Sequence, residues 1–135
     1  MDLELRGKLK QKGIVRLFKS FKYAFEGIKY TLKYEQNMAI HFLATILVIV
    51  LGITVKLSTT EWLFCILFIG MVIATELINS SIEAVVDLVS PKENSLAKVA
   101  KDTASGAVLV FAITALIGGL IIFLPKVILL LESWF

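Results

Sequence analysis

The chain has 135 residues, which suits one domain. Its hydrophobic fraction of 58% exceeds the roughly 45–50% of soluble domains, and the excess sits in long runs, which excludes a water-soluble globule and points to an integral membrane protein. The net charge is +3, and nine of the 14 Lys and Arg residues lie in positions 1–34, a basic end that flanks membrane spans and so is not read as a nucleic-acid surface.

Residues 1–12, "MDLELRGKLKQK", carry no clear period and no apolar core followed by a cleavage site, so no signal peptide is expected. From Ile14 a pattern begins. Ile14, Leu17, Phe18, Phe21, Phe25, Ile28 and Leu32 recur at three- and four-residue steps and form one apolar stripe. Lys12, Arg16, Lys19, Lys22, Glu26 and Lys33 lie off it. The reading is an amphipathic surface helix over 13–34, lying in the membrane interface with its lysines towards anionic headgroups. Packing of the same face against the chain's own spans is the plainer alternative.

Three membrane helices are expected next. The first covers 38–55, just long enough to cross, and "KLSTTE" reads as a short loop. The second covers 62–89, longer than crossing needs, so it should emerge on one side as a continued helix. In "SPKENS", Pro91 should end that helix and Ser95 should cap the next. The third covers 96–124 and should stop at Pro125. Residues 126–135, "KVILLLESWF", are too short to cross again and read as an interfacial tail anchored by Trp134. Cys65 lies alone in an apolar run, which rules out an intrachain disulfide and suits a small hydrophobe. Lysine and arginine placement puts the N-terminus and the 90–95 loop on the cytoplasmic side, and the C-terminus outside.

The second span carries "TELINSSIEAVVDLVS", Thr75 to Ser90. Glu76, Asn79, Glu83 and Asp87 are spaced three, four and four, so on a helix they form one polar stripe. Counted at ~1.5 Å per residue from Trp62, Glu76 lies ~21 Å in and Glu83 ~31 Å in. The hydrocarbon is ~30 Å thick, so Glu76 falls within the inner leaflet and Glu83 near its boundary. A buried acid costs at least ~2.5–3.5 kcal/mol and needs a partner, a proton or water. A structural reading has Glu76 protonated and Asn79 bonding between helices. Two further clusters lie at the same end: "KVAKDTASG" with Lys98, Lys101, Asp102 and Ser105, and "YEQNMAIH" with Glu35, Asn37 and His41.

Hard oxygen ligands with lysines nearby suit Mg²⁺ and phosphate, not zinc. A nucleotide phosphate needs such a cation and a lysine, and a lipid hydroxyl arriving from the bilayer could give its proton to an inner-leaflet carboxylate. A membrane-interface phosphotransferase is therefore one candidate. No P-loop and no kinase Gly-rich loop is present to hold the nucleotide. A non-catalytic membrane scaffold and a small proton-coupled carrier are the competing classes; three spans without a repeat count against the carrier.

"ELINSSIEAVVDLVS", followed after a short loop by "AKDTASGAVLV", resembles the signature of the small integral-membrane lipid kinases, the prokaryotic diacylglycerol kinase and undecaprenol kinase family. The likeness runs from "GIVRLFKSFKYAFEGIKYTLKYE" at 13–35 to about Leu124. It implies an all-α homotrimer of three-span protomers, each with an N-terminal surface helix. It also implies ATP as co-substrate, Mg²⁺ and active sites shared between protomers. By the same resemblance Glu76 matches the base that deprotonates the lipid hydroxyl, and Glu35 and Glu83 match metal-binding carboxylates. Asn79, Lys101 and Asp102 match residues around the nucleotide, with Arg16 and Tyr23 from the surface helix and Glu93 and Asn94 from the loop. Ser105 matches the lining of the lipid site. "E-x-N-x-x-I-H" at Glu35–His41 is similar to the Gram-positive branch, which implies undecaprenol as substrate, with diacylglycerol as the alternative.

Overall fold

The computed structural model describes residues 13–92 and 94–132. All regular structure among them is α-helical: α1 (Ile14–Tyr34), α2 (Gln36–Thr54), α3 (Thr59–Val89) and α4 (Ser95–Glu132). The chain divides into two compact units, residues 1–34 and 35–135, so α1 belongs to the first and α2–α4 to the second. The expectations for residues 1–12, for Glu93 and for Trp134 lie outside the described residues.

In the first unit α1 is one unbroken helix, as the three- and four-residue recurrence requires. Lys22 and Glu26 pair across one turn at 3.8 Å, and the Ser20 hydroxyl donates to the Arg16 carbonyl at 2.9 Å. Glu35, extended at φ −102° and ψ 116°, opens the second unit as the N-cap position of α2.

Helices α2, α3 and α4 are each long and apolar enough to cross a membrane. At ~1.5 Å per residue they measure ~28, ~46 and ~57 Å, so α3 and α4 overrun a ~30 Å hydrocarbon layer. Helix α3 packs most extensively on α4 and less on α2. Only Met38, Leu57, Cys65, Val72 and Val108 are buried hydrophobics among the described residues, and most other apolar side chains face outward. That inside-out distribution is what a lipid solvent permits, because lipid-facing leucine costs nothing.

The turn between α2 and α3 is built by local bonds. Leu57 N–H donates to the Gly52 carbonyl and Lys56 N–H to the Ile53 carbonyl, a Schellman closure with Lys56 left-handed at φ 54°. The Trp62 ring leaves no room for a side chain at Gly52: a Cβ there would lie 2.7 Å from the ring. "STTE", read as loop, is a capping box: Glu61 N–H donates to Ser58 Oγ, and Ser58 N–H donates to Glu61 Oε2 at 2.7 Å. Helix α3 therefore starts at Thr59, three residues before Trp62.

Two expectations for the third span are corrected. Asn94, not Ser95, supplies the cap, since its Oδ1 accepts the Leu96 N–H at 2.8 Å and Ser95 is already helical. Helix α4 also does not stop at Pro125 but continues to Glu132, so the residues of the expected tail up to Glu132 extend the same rod. Proline removes one N–H, but a membrane helix tolerates this when neighbours hold it. Lys126 Nζ pairs with Glu61 Oε2 at 3.2 Å and fastens the segment after the proline to the start of α3. Closer in, Gly118 lets the Phe68 ring lie directly on the α4 backbone.

Candidate active site

The stripe on α3 is real and buried at its inner end. Glu76 is 1% exposed and Asn79 5%, on a helix whose other faces are largely apolar. Asn79 Nδ2 donates to Glu83 Oε1 at 3.1 Å, which fixes the amide and leaves its oxygen pointing elsewhere. Glu76 Oε2 and Asn79 Oδ1 are both buried without a hydrogen-bond partner. Buried polar atoms are nearly always satisfied, so these two acceptors, one turn apart, are suited to receive a proton donor or a cation. Ser80 beside them is occupied, its hydroxyl donating to the Glu76 carbonyl at 3.0 Å.

Glu35, half-buried ahead of α2, comes within electrostatic reach of Glu76, as does Glu83. The single extended residue between α1 and α2 thus joins a stripe more than forty positions away in sequence. Among the described residues no three carboxylates, histidines or cysteines stand close enough to cage a metal by themselves. Mg²⁺ is usually held by one or two carboxylates, with substrate phosphates and water completing the shell. The oxygen-only donors and the orphan acceptors fit such an ion.

Nearer the α3–α4 connection lies a polar cleft of about 780 Å³, lined by Asp87, Ser90, Asn94, Lys98, Lys101 and Asp102 among others. Lys101 Nζ pairs with Asp87 Oδ1 at 2.5 Å across the two helices. The pair is 35% and 65% exposed, so it orders these side chains more than it stabilises the fold. A separate apolar groove of about 550 Å³ runs between α2, α3 and α4, from His41 and Thr45 at one end to Val127 at the other. Val72, one turn before Glu76, lines it.

The structure brings Glu35, Glu76, Asn79 and Glu83 into one neighbourhood, and Asn94, Lys101 and Asp102 into the adjoining cleft. Ser105 is exposed on α4, one turn beyond Asp102 and outside the cleft lining. Arg16 and Tyr23 are exposed on α1 in the first unit. Asp87 stood on the stripe with no assigned role; its partner is 14 positions away, a pairing that helical spacing does not reveal.

Three helices able to cross a membrane, with acids and lysines gathered where α3 and α4 join, define a membrane protein with an oxygen-rich site at one end. Residues 22–123 match the prokaryotic diacylglycerol kinase family. The chain is 48% identical over 111 residues to the undecaprenol kinase of Bacillus subtilis (strain 168), covering 82% of this chain and 90% of that one. It is 37% identical over 116 residues to a diacylglycerol kinase of Synechocystis sp., covering 85% and 66%. It is 30% identical over 105 residues to the diacylglycerol kinase of Escherichia coli (strain K12), covering 78% and 86%. The chain belongs to the prokaryotic diacylglycerol kinase family and is a lipid kinase. Membership implies a nucleotide phosphoryl donor.

Proposed function

We propose that the protein transfers the γ-phosphoryl group of ATP to undecaprenol at the cytoplasmic face of a bacterial plasma membrane, giving undecaprenyl phosphate and ADP. The observation that carries this reading is the orphan oxygen of Glu76, buried beside two more carboxylates, on a membrane-crossing helix whose far end borders a lysine-lined cleft. The identity to an undecaprenol kinase supports the choice of lipid; the diacylglycerol kinases at 37% and 30% support the second reading, phosphatidic acid from diacylglycerol.

In the proposed step Glu76 takes the proton from the lipid hydroxyl. The freed oxygen bonds to the γ-phosphorus, the bond from that phosphorus to the bridging oxygen breaks, and ADP leaves with the electron pair. General-base assistance of this kind is worth ~10²–10⁴ in rate. Glu35 and Glu83 would hold Mg²⁺. Such an ion, when bound, offsets the charge of the phosphate oxygens. Asn79 is held by Glu83 with its oxygen free to accept from a hydroxyl or water. Lys101 and Asp102, with Asn94, line the nucleotide side. Arg16, Tyr23 and Glu93 are assigned to the nucleotide, and Ser105 to the lipid site, on the family resemblance. The apolar groove that begins one turn from Glu76 supports a hydrocarbon chain arriving from the bilayer.

The outward-facing apolar side chains of α2 and α4 support assembly into a trimer, as the family resemblance implies. The apolar stripe of α1 supports an interfacial position for that helix, with the N-terminus cytoplasmic. The test is phosphate transfer from labelled ATP by purified protein in detergent micelles with Mg²⁺, comparing undecaprenol with diacylglycerol. Undecaprenol is expected to turn over at least about tenfold faster, a preference of ~1.4 kcal/mol. Transfer to no lipid alcohol would sink the kinase mechanism, and a preference for diacylglycerol would replace the substrate.

A further inference from the structure

We propose that Lys98, with Lys92 in the same cleft, binds the part of the nucleotide polyphosphate that departs as ADP. The inference deepens the kinase reading above and rests on it. It begins from an imbalance of charge. Three lysines line the polar cleft, and two acids, Asp87 and Asp102, line it with them. Lys101 is already tied to Asp87. Among the described residues Lys92 and Lys98 form no ion pair, and both are exposed. Asp102 forms none either, so the lining, three lysines against two acids, keeps one net positive charge that a bound phosphate offsets.

Position along the two helices decides which part of the anion meets them. Moving inward from the connection, Ser90 follows the end of α3, which then presents Asp87, Glu83, Asn79 and Glu76. On α4, Lys98 lies three residues nearer the connection than Lys101, ~4.5 Å along the axis. The reacting phosphoryl group belongs at the Glu76 end, so the groups nearer Lys98 are those that stay with the nucleoside. A lysine ammonium suits them, since it binds phosphate as a mobile point charge without demanding a fixed fork. A merely solvated surface lysine is the competing account, and it expects no kinetic effect at all.

The experiment compares the parent protein with Lys98→Ala and Lys98→Arg in micelles, varying ATP at saturating undecaprenol. Lys98→Ala is expected to raise KM for ATP about tenfold, the effect of losing one charged contact, with kcat at saturating ATP within about twofold. Inhibition by ADP and by inorganic pyrophosphate should weaken by a similar factor, and KM for the lipid should stay put. Lys98→Arg, which keeps the charge, should recover most of the ATP affinity. Unchanged KM and unchanged ADP inhibition in Lys98→Ala would overturn the proposal, as would a fall in kcat with KM intact. Should Lys98→Ala not fold, Lys98→Gln keeps the stem and is read by the same criteria. If the parent protein phosphorylates no lipid alcohol, the kinase reading fails; if it is active and the variants match it, only the lysine assignment fails.

Discussion

Replacing Glu76 by glutamine is the sharpest probe of this site. The side chain is 1% exposed, so an isosteric amide fills the same space and opens no cavity. What it loses is the acceptor charge at Oε2, the oxygen with no partner in the protein. If that oxygen receives the lipid proton, kcat should fall ~10³-fold, within the ~10²–10⁴ that general bases supply, or ~4 kcal/mol at ~1.36 kcal/mol per decade. The cleft proposed for the nucleotide is lined by residues from Val86 onward, ten or more positions beyond Glu76 in sequence, so ATP affinity should stay within about twofold. Glu76→Asp keeps the charge but withdraws it by one methylene, and misplacement of about 1 Å can cost ~10². The expected order is therefore parent, then Asp, then Gln in kcat, at nearly constant ATP protection against thermal unfolding. The assay is single-time-point phosphate transfer over a range of enzyme concentrations, with nucleotide protection measured on the same samples. A Gln variant that keeps kcat within tenfold would refute the proton-acceptor role. Loss of ATP protection together with kcat would show that Glu76 shapes the nucleotide site instead.

Three other outcomes follow from particular contacts. Glu83→Gln should shift the Mg²⁺ concentration for half-maximal activity upward by about tenfold, because it removes one hard ligand while keeping an acceptor for Asn79; an unaltered Mg²⁺ titration would contradict the metal assignment. Gly118→Leu should destabilise the α3–α4 pair by about 1–3 kcal/mol, since the Phe68 ring occupies the space its side chain needs, whereas Gly119→Ala meets nothing within 4 Å and should cost little; denaturant titration in micelles separates the two. Lys56→Gly should stabilise by about 1 kcal/mol, because glycine adopts the left-handed conformation that the Schellman closure imposes at φ 54° without a Cβ clash; a loss of stability would show that the lysine side chain contributes there.

Composition and periodicity alone were sufficient for much of this protein. Apolar runs longer than a bilayer is thick have few alternatives to crossing helices, so three spans follow from counting. A three-four-four spacing puts Glu76, Asn79, Glu83 and Asp87 on one face of any helix, whatever surrounds it. Likewise, "ELINSSIEAVVDLVS" with "AKDTASG" was enough to point to the family that residues 22–123 match.

Tertiary structure decided the pairings. Spacing orders residues on their own helix and is silent about which faces of two helices meet. Hence the link between Asp87 and Lys101, the approach of Glu35 to Glu76, and the orphan state of Glu76 Oε2 appear only once α3 has packed on α4 and α2. The same reason explains the ends. Pro125 reads as a stop because proline removes a backbone donor, but its neighbour Lys126 reaches Glu61 on another helix, and the rod continues to Glu132. The stripe was legible as chemistry in the wrong solvent; only packing shows that its innermost oxygen is buried without a partner.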